Sequence, residues 1–166
     1  MFLSDEAQKQ IAESWTTSLR AFEIVQYVYY HFFHWDFSYD YEDSLLNAIE
    51  LDPEYEDAYA GMGWLYITGE TYLPLFTEDE TDIWQAQSYL EKAIELDPDN
   101  LFANLNLGCF NLWIKWDYIA AEQYFEKALQ LTRDNPLLIA RYSEFLVQMN
   151  RLEKYLLFCE SVVGCV

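Results

Sequence analysis

Apolar residues recur at helical spacing through most of the chain, and their stripes predict pairs of packed helices. The first stripe consists of Val25, Val28, Tyr29 and Phe32. The second consists of Tyr41, Leu45, Ala48 and Ile49. Residues three and four positions apart lie on one side of a helix, so each stripe is a single apolar face. We therefore predict that these two helices pack face to face.

Two further stripes contain small residues at the points where the helices are expected to meet. The third stripe consists of Tyr59, Met62, Gly63 and Tyr66. The fourth consists of Ala86, Leu90, Ala93 and Ile94. Glycine lowers helix propensity by about 1 kcal/mol relative to alanine, so its use inside a helix needs compensation from packing. Gly63 and Ala86, and later Gly108, are thus predicted at the closest helix contacts.

A short phrase recurs along the chain and marks the end of each helix pair. Ala48-Ile-Glu-Leu-Asp-Pro53 returns almost unchanged as Ala93-Ile-Glu-Leu-Asp-Pro98, and a weaker copy spans residues 128–133. The phrase resembles the tetratricopeptide repeat (TPR), a unit of about 34 residues with two antiparallel helices and a closing proline. The resemblance implies an all-α, right-handed superhelix of about nine helices that binds partners on its concave face.

The closing prolines divide one predicted TPR domain, residues 1–166, into repeats. The segments are an N-terminal capping helix at 1–21, repeats at 22–55, 56–100 and 101–135, and a partial repeat with a C-terminal cap at 136–166. The cap is expected to be helical from Ser4 to about Trp15. Asn135 with Pro136, and later Asn150, are expected to start the two helices of the last repeat. One extra residue falls in the turn of the third repeat.

The second repeat carries an eleven-residue insertion, because Pro53 and Pro98 lie 45 positions apart. It is placed near Gly69 to Thr77, and Thr77 with Glu80 reads as a capping box for the following helix. Its apolar residues are Tyr72, Leu73, Leu75 and Phe76. Such residues are expected to bury against something, so we predict that the insertion folds across the groove beside Trp64 and Trp113 as a gate.

A narrower resemblance rests on short phrases outside the closing prolines. Residues 3–11, 19–24, 58–61 and 116–118 are similar to the C-terminal TPR region of bacterial membrane-bound transcriptional regulators and nucleotide cyclases. The chain departs from that pattern at residues 27–35, which are rich in aromatic residues. The resemblance implies a sensory or partner-binding module and transfers no catalytic residue.

Charge narrows the class of partner. The chain has 29 acidic and 9 basic residues, for a net charge of -20, which repels polyanions and disfavours nucleic acid. A protein or peptide partner of basic or apolar character fits this field better. No apolar stretch approaches the roughly 18 residues of a membrane span, so no membrane insertion of this segment is expected. A cytoplasmic location is favoured, or a periplasmic one if the chain belongs to a membrane-bound regulator.

Counting along the first helix of each pair places a set of mainly aromatic residues on the predicted groove. This set consists of Tyr27, Tyr30, His34, Trp64, Phe102, Asn106, Cys109, Trp113, Arg141 and Glu144. Such a surface clamps apolar or cationic side chains. The alternative is that these aromatic residues fill space between neighbouring helices, because aromatic side chains dominate cores as well as interfaces.

Other kinds of site fit the sequence poorly. In TPR domains that grip a chaperone's C-terminal carboxylate, two lysines are needed at places that Ala60 and Leu137 hold here, although Asn106 and Arg141 match. His31 and His34 have helical spacing, but a third metal ligand would have to come from Asp36 or Asp40, beyond the end of the helix. Cys109, Cys159 and Cys165 form neither a metal motif nor a paired disulfide framework. We expect no metal, cofactor or catalytic residue.

The sequence therefore favours a non-enzymatic adaptor or sensory module that binds a protein or peptide. Two alternatives stay open. One is a secretion chaperone, because such chaperones are small acidic TPR proteins. The other is a structural self-assembly domain that forms a homodimer through its terminal helices.

Overall fold

The computed structural model describes residues 17–34, 40–72 and 80–163, and these ranges form eight α-helices and no strand. The helices are α1 Leu19–Phe33, α2 Tyr41–Leu51, α3 Glu56–Tyr72, α4 Glu80–Leu96, α5 Leu101–Phe110, α6 Tyr118–Leu131, α7 Pro136–Gln148 and α8 Leu152–Val163. The predicted all-α class is confirmed. The predicted N-terminal helix from Ser4 to Trp15 lies outside the described residues.

Side-chain caps fix the starts of several helices. Ser18, Asp40 and Asp117 each accept a hydrogen bond from the backbone N–H three residues ahead, which satisfies one of the unpaired amides of a first helical turn. Asn135 accepts from the next amides of α7, and Pro136 occupies the first turn. The predicted start of α7 is therefore confirmed.

The chain divides into two compact units, residues 1–103 and 104–166. In the first unit, the stripes predicted for α1 and α2 meet in one apolar core, which also receives residues of α3. Its fully buried members include Val25, Leu45 and Met62. The pairing of the first two helices follows the sequence pattern because the two predicted stripes lie on the faces that meet in this core.

Helices α3 and α4 approach each other closely at Gly63. A Cβ atom at this position would lie 2.5 Å from Leu90 Cγ and 3.4 Å from the Ala86 carbonyl oxygen. Glycine is therefore required by the neighbouring helix rather than by backbone conformation. The predicted close contact between Gly63 and the helix that carries Ala86 is confirmed.

The second unit has a similarly close helix contact at Gly108. A Cβ atom there would lie 2.7 Å from the ring of Phe125 on α6. Phe125 packs in turn against Tyr142 and Phe145 of α7, with ring centroids 6.1 Å and 5.7 Å away. This aromatic group forms the core between α6 and α7.

The extra residue of the third repeat is absorbed by a π-helical turn. Helix α5 continues into the π turn Asn111–Lys115, which ends at Trp116 in the left-handed conformation with φ 56°. The Asp117 backbone N–H closes the turn by donating to the Asn111 carbonyl oxygen at 3.0 Å. A π turn accommodates one inserted residue inside a helix, and such turns are frequent at functional sites.

Two predicted boundaries need correction. The sequence predicts an inserted loop from about Gly69, but α3 continues as helix through Tyr72, so residues 69–72 are not loop. Asn150 does not cap α8. It has φ 54° and ends α7, and the following Arg151 N–H donates to the Leu146 carbonyl oxygen at 2.9 Å. Asparagine tolerates this left-handed position, so it serves as a helix terminator here.

Candidate partner-binding surfaces

Four rings line the outer side of α1. We call Tyr27, Tyr30, His31 and His34 the α1 aromatic surface. Tyr27 and Tyr30 expose 48% and 58% of their surface. Ring centroids lie 4.1 Å apart for Tyr27 with His31 and for Tyr30 with His34, and 5.3 Å apart for Tyr30 with His31. The rings therefore form one continuous aromatic strip rather than isolated side chains.

The direction of this strip follows from the apolar pattern of α1. Ala21, Val25 and Val28 are buried in the core of the first unit, so the residues on the other side of the helix face outward. His34 follows the last residue of α1, and its Nδ1 lies 2.6 Å from the Tyr30 carbonyl oxygen. Because a carbonyl accepts hydrogen bonds, Nδ1 carries the proton in this geometry. The contact holds the imidazole beside the Tyr30 ring.

Charge is distributed very unevenly between the two units. Residues 1–103 contain 22 acidic and 3 basic residues, whereas residues 104–166 contain 7 and 6. Almost all of the net charge of -20 therefore belongs to the unit that carries the α1 aromatic surface. An aromatic strip on an acidic body attracts cations both through the ring faces and through the long-range field.

Two other predicted groove residues of the first unit are part of its packing. Trp64 is only 6% exposed, and the edge of its ring meets Phe32 at a centroid distance of 6.2 Å. Phe102 stacks on Tyr29, with centroids 5.1 Å apart. Because Trp64 is buried, its ring packs against α1 and does not present a face to solvent. Trp64 and Phe102 therefore fit the alternative prediction, in which aromatic residues fill the space between neighbouring helices.

In the second unit, Trp113, Arg141 and Glu144 contact one another. The Trp113 indole N–H donates to Glu144 Oε1 at 3.2 Å, and Arg141 donates to Glu144 Oε2 at 3.0 Å. The guanidinium carbon lies 5.0 Å from the Trp113 ring centroid. Gln148 also donates to Glu144, at 3.3 Å. The carboxylate thus balances the arginine charge, and the arginine covers the indole.

Asn106 and Cys109 are buried in the second unit. Burial is the main reason why the pKa of the Cys109 thiol is raised, with a smaller opposing effect from Arg141. A thiol with a raised pKa is a poor nucleophile, because the thiolate is the reactive form. Cys109 therefore acts as a small apolar residue beneath the Trp113 cluster.

Two residues have roles in the structure that the sequence analysis does not predict. His31 belongs to the aromatic strip, and its spacing of four from Tyr27 is the sequence signal that places it there. Glu56, at the start of α3, is buried, and its pKa is raised to about 7, mainly by loss of solvation and also by Asp57 and Asp97. The only sequence signal for this effect was the density of carboxylates near the two Leu-Asp-Pro phrases.

The predicted gate falls largely outside what the structure describes. Leu73, Leu75 and Phe76 are not among the described residues, and Tyr72 is known only as the last residue of α3. Within residues 17–34, 40–72 and 80–163, no three His, Cys, Asp or Glu side chains gather as metal ligands. In these same ranges no helix has both the length and the apolar character of a membrane span.

Comparison with known proteins finds a repeat family and two partial relatives. The family model of the tetratricopeptide repeat matches residues 81–100 and 103–135. Protein O-mannosyl-transferase TMTC1 of Homo sapiens is 42% identical over 64 residues, and that of Mus musculus 40% identical over 70 residues. These matches cover 39% and 42% of this chain but only 7% of each relative.

The chain therefore corresponds to a short part of those relatives, and the enzyme name describes them as whole proteins. Tetratricopeptide repeats stack into solenoids whose concave faces bind other proteins. The repeats indicate a protein–protein interaction module. The recurring helix pairs, with a glycine at the contact in two of them, and the family match at residues 81–100 and 103–135 show that this chain contains tetratricopeptide repeats.

Proposed function

We propose that this chain is a partner-binding module whose α1 aromatic surface takes a basic segment of another protein. The observation that carries the proposal is the strip of four outward-facing rings on a unit with 22 acidic and 3 basic residues. The chain acts by binding rather than by catalysis, as an adaptor or sensory part of a larger regulatory system.

The chemistry favours lysine and arginine side chains as the recognised groups. A cation over an exposed aromatic ring gains roughly 0.5–1 kcal/mol, and Tyr27 and Tyr30 offer two such faces one helical turn apart. The acidic field of the unit adds long-range attraction and raises the association rate. Stacking of the tyrosine rings on His31 and His34 restrains them, which lowers the entropy lost on binding.

A peptide titration tests this proposal. The probe is a fluorescent 15-residue peptide of alternating arginine and glycine, and its counterpart has glutamate in place of arginine. We expect the basic peptide to bind and Tyr27→Ala with Tyr30→Ala to weaken it by about 5- to 30-fold, which corresponds to two lost ring contacts. Trp84→Ala is the matched control, because it removes an exposed aromatic ring from the same unit outside the strip.

Two results contradict the proposal. One is equal binding of the basic and acidic peptides. The other is an equal loss of affinity for the tyrosine double variant and for Trp84→Ala. Far-UV circular dichroism of each variant verifies that helix content is retained, so that any loss of affinity reflects the surface itself.

A further inference from the structure

Helix α8 presents an apolar face to solvent. Leu152, Leu156 and Leu157 expose 54%, 59% and 66% of their surface. A helix at the surface of a globular protein usually turns a polar face to solvent, because a contiguous exposed apolar face reduces solubility. Three large exposed leucines within six residues of one helix are therefore an unusual feature of the second unit and indicate a contact surface.

The opposite side of α8 contacts α6 through ion pairs and α7 through an aromatic pair. Lys154 donates to Glu122 at 2.7 Å and to Glu126 at 2.9 Å, and Arg151 also binds Glu122. Phe158 packs edge-on against Tyr142, with ring centroids 4.9 Å apart. These contacts fix which side of α8 faces α6 and α7. The exposed leucines are thus on the outer side as a consequence of the fold and not of a loose helix.

Charges are segregated across α8 in the same way. The basic residues Arg151, which directly precedes the helix, and Lys154 form ion pairs with glutamates of α6. The charged residues on the outer side, Glu153 and Glu160, are both acidic and exposed. At 100° per residue, these two carboxylates project between Leu156 and Leu157 around the helix. The outer face therefore combines an apolar surface with negative charge.

We propose that this outer face of α8 docks an amphipathic helix of another protein, one whose apolar stripe is flanked by lysine or arginine. Apolar residues of the partner helix cover Leu152, Leu156 and Leu157, and its basic residues approach Glu153 and Glu160. A second copy of this chain is disfavoured as the occupant, because self-pairing brings the acidic residues of both helices together. This surface consists of residues of the second unit, whereas the α1 aromatic surface consists of residues of the first unit.

The experiment uses the full chain and two synthetic helical peptides of about 18 residues. Both peptides carry the same leucine stripe, flanked by lysine in one and by glutamate in the other. We expect the lysine peptide to bind at least about tenfold more tightly. Leu156→Ser with Leu157→Ser should remove most of this binding, and Glu153→Lys with Glu160→Lys should reverse the preference to the glutamate peptide.

Control variants separate this surface from the proposed function. Tyr27→Ala with Tyr30→Ala changes only the first unit, so it should leave the reversal by the α8 charge variant intact. Absence of binding up to 1 mM peptide, on the order of the weakest specific contacts, overturns the proposal. So does a charge preference that the α8 variants leave unchanged. Sedimentation that shows a dimer abolished by Leu156→Ser would assign the face to a second copy instead.

Discussion

Asn100 joins the start of α5 to α3 through Asp57. Its side-chain amide donates to the Asp57 carboxylate at 2.7 Å, and its Oδ1 accepts from the Ala103 backbone N–H at 2.8 Å. One side chain therefore caps a helix and satisfies a carboxylate whose burial raises its pKa. Asn100 lies two residues after the second Leu-Asp-Pro phrase, so the start of the next repeat is tied to α3 directly after that phrase.

Replacing Asn100 by alanine should lower the free energy of unfolding by about 2–4 kcal/mol. Loss of the cap costs about 0.5–2 kcal/mol, and a partly buried carboxylate without its donor adds to this cost. Urea unfolding of wild type and Asn100→Ala measures the difference. Asn47→Ala, at an exposed position of α2, is the matched control. Equal effects of the two substitutions would contradict the role of Asn100.

Glu56 should make the stability of the protein depend on pH. Its pKa is raised to about 7 in the folded state from an ordinary value near 4.5, so folding favours the protonated form. The stability that comes from holding Glu56 in its protonated form is fully present below about pH 4.5. It is lost as the pH rises through the folded-state pKa of about 7. Glu56→Gln should therefore be more stable than wild type at pH 8, by on the order of 1–3 kcal/mol.

A measurement at low pH is the control for this prediction, because wild type and Glu56→Gln differ in one titrating group. At pH 4 the unfolding free energies of wild type and Glu56→Gln should nearly coincide, since the wild-type carboxyl is then protonated. Guanidinium unfolding at several pH values gives the difference curve. A difference that does not change between pH 4 and pH 8 would show that burial does not perturb this carboxyl.

Gly63→Ala should destabilise the protein despite the better helix propensity of alanine. The new Cβ would lie 2.5 Å from Leu90, so the contact between α3 and α4 must open or the leucine must move. Overpacking of this kind costs typically 1–3 kcal/mol, against a propensity gain of about 1 kcal/mol. Gly63→Leu should cost more. A melting temperature that rises for both variants would argue against the assigned helix contact.

Trp116→Gly should stabilise the fold. Trp116 has φ 56°, a conformation that costs a residue with a side chain roughly 1–2 kcal/mol, whereas glycine adopts it readily. The ring is exposed, so its removal sacrifices little burial. We expect a gain of about 1 kcal/mol in thermal or urea unfolding. Asn150→Gly is the matched control, with a smaller gain, because asparagine already tolerates its φ of 54°.

The helix pairs and their glycine contacts could be predicted because they depend on local periodicity and on residue size. Gly63 and Gly108 were identifiable from sequence, since a small residue within an apolar stripe signals close helix approach. The direction of each aromatic ring was harder to predict. A shift of one residue rotates a side chain by about 100° around the helix, and Trp64 turned inward while Tyr30 faces solvent.

Features that depend on contacts between several helices could not be predicted from the sequence pattern. The π turn at Asn111–Lys115 absorbs one residue, but the sequence does not show whether a helix or a loop takes it up. Neutralisation of Arg141 by Glu144 depends on the rotamers of both side chains and on Trp113 beside them. The exposed side of α8 follows from its ion pairs with α6, which lies 20 or more residues earlier.

The proposed role of the α1 aromatic surface is tested most directly by an NMR titration of the ¹⁵N-labelled chain with the arginine-containing peptide. We expect the largest shift changes in the backbone amides of residues 23–34, with saturation that weakens as salt is added. Tyr27→Ala with Tyr30→Ala should remove these changes. Shift changes centred instead on Trp113 and Arg141, or none at saturating peptide, would contradict the account.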